Sequence, residues 1–333
     1  MPRLFGARRL FLGGKNRFTL CNAIYLLLLG TLSLTVMLQR YRDLEPEEVE
    51  ADDPPSPRIF CIISTYEFRH EHTAIHIHRT WAKHCDHYLF VSDNVHKHLE
   101  PAAFMNLYNK WLRLRAHLEY VYKNHFHQGD WFLYANDDNF VVIENLRKML
   151  VSYTPNELIY FGCKLRTPNG LVFMYEGSGI VFSRAALKRF ALAALTNESI
   201  CSSEPKGNDF TEELGRCLTN VNVMAGDSRD EMQGHRFLPF EADLHLGGQM
   251  NESRAEHKYY LDHSYYPVID MKLPVSLQSI CFHMQAIMNT YDHYYFAYKV
   301  RIFGAPLDLP SENKDIGKKI NLINVRNKQV LLG

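Results

Sequence analysis

Residues 130–140 read DWFLYANDDNF, an apolar run that ends in a cluster of short side chains carrying oxygen atoms. The run 131–135 has the composition of a buried strand. Asp137 and Asp138 follow it directly. Hard divalent cations such as Mg²⁺ and Mn²⁺ prefer oxygen ligands and often combine one or two protein carboxylates with substrate phosphates. The other interpretation is a turn rich in Asn and Asp that only caps the next helix.

Further apolar runs and helical patterns surround this segment in alternation. Strands are predicted at residues 59–64, 88–92 and 158–163, and helices at residues 72–84, 104–121 and 143–150. The middle helix rests on a repeat in steps of three and four, formed by Phe104, Leu107, Trp111, Leu114, Leu118 and Val121. Alternating strands and helices predict an α/β fold with a mainly parallel sheet covered on both faces. Ligands of such sheets bind outside the carboxyl ends of the strands, where Asp137 and Asp138 lie.

The N-terminal region predicts a membrane anchor. Phe18–Leu38 contains no charged residue, and a helix needs about 20 apolar residues to span a bilayer. The basic segment before it predicts a cytoplasmic N-terminus. A cleaved signal peptide is an alternative, although its apolar core would be only about 7–15 residues long. A buried helix is the third reading.

The apolar segment and the basic residues before it predict a single-pass type II membrane protein. We expect a cytoplasmic tail (1–17), a transmembrane signal-anchor helix (18–38), an acidic, proline-rich stem (39–57), one lumenal domain (58–310) and a C-terminal tail (311–333). An oxidising lumen predicts disulfides among the cysteines beyond the anchor, which are Cys61, Cys85, Cys163, Cys201, Cys217 and Cys281. Sequons at Asn197 and Asn251 fit the same compartment. The formal net charge of +0 argues against a nucleic-acid-binding protein.

Several ordered motifs resemble the core 1 β1,3-galactosyltransferases of glycosyltransferase family 31, in particular the insect-type members. Residues 130–141 resemble the family's DWFLKADDDTYV stretch, and residues 79–85 its RTWxKRC element. Residues 159–164 are similar to YFGCKF, 177–184 to GAGYVLSR, and 222–230 to NVxAGDSRD. Residues 237–240 match FxPF, and residues 281–283 match the Phe-His element. The resemblance runs from about Cys61 to Gly304.

The resemblance implies a GT-A (Rossmann-like) lumenal domain in the Golgi. The implied activity is inverting transfer of galactose from UDP-galactose, with Mn²⁺, to GalNAc on Ser or Thr of glycoproteins. Asp138 and His283 would be the metal ligands, and Trp111, Arg113, Asp137 and Asp138 would contact the nucleotide sugar. Two readings stay open beside these: Trp111 also fits the buried stripe of its helix, and His283 alone could be an ordinary core or surface histidine. A homodimer is one option for assembly. The resemblance also implies the disulfides Cys61–Cys85 and Cys201–Cys217.

The chain departs from the family at several positions. Asn136 replaces the first acid of the DxD-type triplet, and Glu176 the first glycine of the GGAG turn. The acidic pair that would supply the catalytic base has no ungapped match, which leaves Asp209 and Glu212 as the candidates. The alternative function is therefore a non-catalytic relative that acts as a chaperone or a glycan-binding pseudoenzyme.

Overall fold

The computed structural model describes residues 25, 27, 28, 30–35, 37, 39, 56–107, 109–204, 210–268, 274–284 and 289–300. The chain divides into two compact units, Met1–Pro55 and Ser56–Gly333. In the first unit the described residues are helical and exposed, and the rest of the predicted anchor (18–38) lies outside them. No helix that the described residues form is both long and apolar enough to cross a bilayer. The predicted tails, 1–17 and 311–333, also lie outside the described residues.

The second unit is built on a mixed sheet that the described residues form with seven strands in the order β3-β2-β1-β4-β7-β6-β8. Neighbouring strands are parallel except where β7 pairs antiparallel with both β4 and β6. The strands are β1 (Ile59–Ser64), β2 (His87–Ser92), β3 (Ala102–Phe104), β4 (Trp131–Asn136), β6 (Ile159–Arg166), β7 (Val172–Ser183) and β8 (Met224–Ala225). The prediction of a mainly parallel α/β sheet is confirmed.

Helices cover both faces of this sheet, as predicted. They are α1 (Ile75–Arg79), α2 (Lys110–His125), α3 (Ile143–Leu150), α4 (Arg184–Arg189), α5 (Phe210–Asn220), α6 (Ala242–Gly247), α7 (Ala255–His263) and α8 (Asn289–Tyr298). Alternate residues of β1 enter different cores because successive side chains of a strand point to opposite faces. Ile63 packs in one cluster with Leu146 of α3, and Ile62 packs in the other with Leu118 of α2.

Two predicted helix boundaries were wrong. The helix predicted at 104–121 begins at Lys110, because the Asn109 side chain accepts hydrogen bonds from the amides of Trp111 and Leu112 and so caps it there. Phe104 belongs instead to the edge strand β3, and its apolar side chain fits the helical spacing only by coincidence. The segment predicted as one helix at 72–84 is interrupted at Thr80, where α1 ends and a 3₁₀ turn begins.

A second, small sheet lies beside the carboxyl end of β4. It contains β5 (Asn139–Val141), β9 (Phe237–Leu238) and β10 (Cys281–His283), in the order β5-β10-β9. β10 runs antiparallel to β5, with His283 opposite Asn139, and parallel to β9. This pairing carries residues from the C-terminal half of the chain to the segment that follows β4.

Both implied disulfides are present. Cys61 in β1 bonds Cys85, which follows the 3₁₀ turn after α1. Cys201 bonds Cys217 of α5. Cys163 and Cys281 are buried free thiols.

Candidate functional site

Asp138 and His283 lie together just beyond the carboxyl end of β4. The antiparallel pairing of β5 with β10 places His283 opposite Asn139, and the amide of Met284 donates to the carbonyl oxygen of Asp138 at 2.7 Å. The Nδ1 atom of His283 is 3.6 Å from the Oδ1 atom of Asp138. Both side chains are about one-third exposed, at 31% and 28%. The two residues predicted as metal ligands therefore lie close together, and their role as ligands stays a prediction.

The two side chains shift each other's pKa in opposite directions. Burial alone would raise the pKa of Asp138, but the hydrogen bond and charge of His283 and the charge of Arg69 outweigh it, so the pKa is lowered. Burial alone would lower the pKa of His283, but the Asp138 carboxylate outweighs it and the pKa is raised. The side chains of His283 and Arg69 therefore stabilise the ionised carboxylate of Asp138.

Asp137 is buried beneath this pair and is fully engaged. Its Oδ2 atom accepts hydrogen bonds from the hydroxyls of Thr65, at 2.6 Å, and Thr73, at 2.7 Å. Arg69 donates from Nε to Oδ1 of Asp137 at 2.8 Å, and its Nη2 atom is 3.5 Å from Oδ2 of Asp138. Burial raises the pKa of Asp137, against the lowering effect of Arg69 and the two threonines. Asp137 thus anchors the turn and positions Arg69, while Asp138 keeps an accessible carboxylate.

A pocket of about 220 Å³ opens on one side of Asp138. Its wall includes three cationic side chains, Arg69, Lys110 and Arg113. Arg113 is only 2% exposed, donates to the Thr65 carbonyl oxygen at 2.7 Å, and packs its guanidinium 3.8 Å from the centroid of the Tyr66 ring. Its Nη1 atom is buried without a hydrogen-bond partner. Because an unpaired buried donor is costly, this atom is suited to a ligand that supplies an acceptor.

A second pocket, of about 330 Å³, lies on the other side of Asp138, and His283 is part of its wall. The two pockets share part of their walls, formed by Lys110, Asn136, Asp138 and Glu176. The remaining wall of the second pocket is more acidic and aromatic and includes Tyr175, Phe240, Glu241, Glu256 and His257. Asp138 therefore stands where a pocket with three cationic and three acidic side chains meets a second pocket in which acidic side chains outnumber those of Lys and Arg.

Of the other residues that the sequence predicted for the site, some line a pocket and others do not. Arg113 lines the first pocket, but Trp111 lies in the hydrophobic core, where its Nε1 atom donates to the Ser202 carbonyl oxygen at 2.8 Å, and lines neither pocket. Glu212 also lines neither pocket and accepts a hydrogen bond from the Tyr259 hydroxyl at 2.7 Å. Asp209 lies outside the described residues.

Sequence reasoning did not assign Tyr66, Glu176 or Glu241 to the site. Only Glu176 gave a signal, because it stands where the resembling turn has a glycine. Tyr66 and Glu241 lie in connecting segments without a motif of their own.

Comparison with known proteins identifies the family. Residues 55–229 match the Fringe-like family. Over 267 residues the chain is 31% identical to glycoprotein-N-acetylgalactosamine 3-beta-galactosyltransferase 1 of Xenopus laevis, covering 78% of this chain and 71% of that relative. The chain belongs to the Fringe-like family. The predicted membership of glycosyltransferase family 31 is confirmed, and the protein is a glycosyltransferase.

Solved structures similar to this Fringe-like chain include two glycosyltransferases. One, involved in glycosylation of the major capsid of PBCV-1, has a TM-score of 0.36 at 14% identity and covers 71% of this chain and 100% of that one. The other, an active-site mutant of LgtC, has a TM-score of 0.37 at 10% identity, with coverages of 77% and 99%.

Proposed function

We propose that this glycosyltransferase transfers galactose from UDP-galactose, in β1,3 linkage and with inversion, to GalNAc on Ser or Thr of glycoproteins. Its domain would adopt the GT-A fold in the Golgi lumen, held by the N-terminal segment as a single-pass anchor. The observation that carries the proposal is the position of Asp138 and His283, which lie together where the two pockets meet. The relative from Xenopus laevis, with its printed galactosyltransferase name, supports the choice of donor and acceptor.

The residues present fit Mn²⁺ held by Asp138 and His283. Among the described residues no group of three or more His, Cys, Asp or Glu side chains could hold a metal ion. Two protein ligands suffice for Mn²⁺ when a diphosphate and water complete the shell, and carboxylate and imidazole are both suitable ligands. When bound, the ion supplies positive charge that stabilises the departing diphosphate. Asn136 adds no charge to the site, and Asp137 is occupied by Thr65, Thr73 and Arg69.

The first pocket suits the nucleotide diphosphate. Arg69, Lys110 and Arg113 provide positive charge along its wall, and the unpartnered Nη1 donor of Arg113 offers a hydrogen bond to an acceptor atom. Tyr66 already stacks on the Arg113 guanidinium and stiffens it. The second pocket, with aromatic and acidic side chains, would hold the sugar acceptor. Lys110, Asn136, Asp138 and Glu176 would then surround the transferred sugar.

A non-catalytic function is the second candidate. Its supporting observation is that Glu212, a candidate base, lines neither pocket and accepts a hydrogen bond from the Tyr259 hydroxyl. A glycan-binding pseudoenzyme or chaperone would keep the pockets without a base.

Calorimetry of UDP binding with and without Mn²⁺ tests the proposal. Asp138→Asn preserves shape but removes the charge, so we expect Mn²⁺-dependent binding to be lost and transfer of galactose to GalNAc to fall by orders of magnitude. Asp262→Asn is the matched control, because Asp262 is an exposed carboxylate paired with Lys258. If UDP binds the wild type equally well without Mn²⁺, the proposal of a metal-dependent transferase is wrong. Metal-dependent binding without any transfer would favour the pseudoenzyme.

A further inference from the structure

Strand β7 contains a bulge that projects Glu176 over the end of β4. Tyr175 pairs with Cys163 and Ile180 pairs with Gly162, so residues 176–179 stand opposite a single peptide bond of β6. The Asn139 side chain donates to the Gly177 carbonyl oxygen at 3.0 Å and ties the bulge to the turn after β4. Gly179 has a φ of +73°, which a side chain would disfavour. Bulges often redirect a side chain beside an active site.

Close packing fixes the position of this bulge. A Cβ atom on Gly177 would lie 2.8 Å from the Pro239 carbonyl oxygen, so the loop after β9 contacts the bulge directly. On the other side, Lys110 at the start of α2 forms an ion pair with Glu176 at 3.2 Å. The Glu176 side chain is 24% exposed, which leaves it accessible from the pockets. Two separate segments therefore contact the bulge at Gly177, and Lys110 of α2 pairs with the Glu176 carboxylate itself.

Glu176 and Asp138 are the carboxylates that line both pockets in the described part of the chain. Asp138 belongs to the proposed metal site. Glu241 and Glu256 line the second pocket only, and Glu212 lines neither. Sugar transfer between the pockets must occur at their shared wall, so a base must reach that wall as well.

We propose that Glu176 is the general base for the acceptor hydroxyl, an inference that rests on the proposed function. The Glu176 carboxylate takes the proton as the O–H bond breaks. The hydroxyl oxygen forms a bond to the anomeric carbon of the donor sugar. The bond from that carbon to the β-phosphate oxygen breaks, and its electron pair leaves with the nucleoside diphosphate. Before the reaction the carboxylate pairs with Lys110, whose Nζ atom lies 3.2 Å from Oε1 of Glu176.

The test compares steady-state kinetics and UDP binding of full-length variants in detergent. Glu176→Gln should lower kcat by about 10²–10⁴-fold, the usual contribution of a general base, and leave Mn²⁺-dependent UDP binding within about twofold. Glu119→Gln is the matched control, since it removes the carboxylate of another Lys–Glu pair, with Lys123, on the same helix as Lys110. Glu176→Ala should recover part of its lost kcat in formate but not in chloride at equal ionic strength, because formate can replace the missing carboxylate.

Distinct outcomes separate this inference from the proposed function. If the wild type transfers galactose and Glu176→Gln keeps kcat within tenfold, Glu176 is not the base although the function stands. The same conclusion follows if Glu241→Gln shows the large loss of kcat instead, or if formate gives no recovery. A wild type that binds UDP but transfers no sugar would overturn the proposed function and, with it, the role of Glu176.

Discussion

The buried histidine beneath the first pocket should make the protein sensitive to acid. His117 is completely buried on α2, one turn after Arg113, and its Nδ1 atom is 3.3 Å from the Tyr134 hydroxyl. Its Nε2 atom has no hydrogen-bond partner. Burial, and then the charge of Arg113, lower the pKa of His117 to about 3. Protonation of this ring would place a second positive charge beside the guanidinium in a dry environment.

The size of the effect follows from linkage. In the unfolded chain the histidine pKa is about 6.5, so on acidification the unfolded chain takes up the proton first. The neutral buried ring therefore contributes no penalty above pH 6.5, and stability is lost as pH falls from that value towards 3. At pH 5 the solution is about 1.5 units below the unfolded pKa, which corresponds to a loss of about 2 kcal/mol from this one side chain.

Replacing His117 by leucine tests this reasoning. The variant has no titrating group at that position, so the free energy of unfolding of the wild type minus that of the variant should fall by about 2 kcal/mol between pH 7 and pH 5. The assay is urea unfolding of both proteins at pH 7, 6 and 5, followed by tryptophan fluorescence. His127→Leu at an exposed position controls for the chemical change itself. Parallel curves for wild type and His117→Leu, with a constant difference across this range, would refute the argument.

Two further predictions concern the crosslinks and the bulge. Cys61 and Cys85 are 24 positions apart, so replacing both by serine should lower the free energy of unfolding by about 3.4 kcal/mol. Cys201 and Cys217 are 16 positions apart, so the same change there should lower it by about 3.1 kcal/mol. Urea unfolding measures both values, and wild-type stability in either variant would contradict the prediction. Gly177→Ala should displace the bulge, because its Cβ would lie 2.8 Å from the Pro239 carbonyl oxygen, and should therefore lower kcat. Gly247→Ala is the control, because its Cβ would meet only the side chain of Gln249; equal kcat in the two variants would contradict the prediction.

Local sequence patterns were sufficient to predict the main strands and the position of the acidic turn. Ile59–Ser64 and Trp131–Asn136 are buried runs whose composition alone marks a central strand. β7 escaped prediction because Gly177 and Gly179 interrupt its apolar pattern at the bulge. The start of α2 was misplaced because an apolar edge strand continued the helical periodicity, and the capping side chain of Asn109 overrode it.

The site required more than local pattern. Asp138 and His283 are far apart in sequence, and only the pairing of β5 with β10 joins them, so composition and spacing could not have shown the contact. The resemblance to family 31 predicted that Asp138 and His283 act together. It could not give Glu176, because that position departs from the family motif, and no periodic pattern shows that a bulge will turn the side chain towards a pocket.

The two departures at the shared wall are related through charge. The resembling motifs have an acid where this chain has Asn136 and a glycine where it has Glu176, and both residues line both pockets. The chain therefore has as many carboxylates at these two positions as the motifs imply, but the carboxylate has moved from the end of β4 to the bulge of β7. At the end of β4 a carboxylate would add to the charge that holds a cation beside Asp138. On the bulge it pairs with Lys110 and lies in the wall that both pockets share, which is where the proposed base must act.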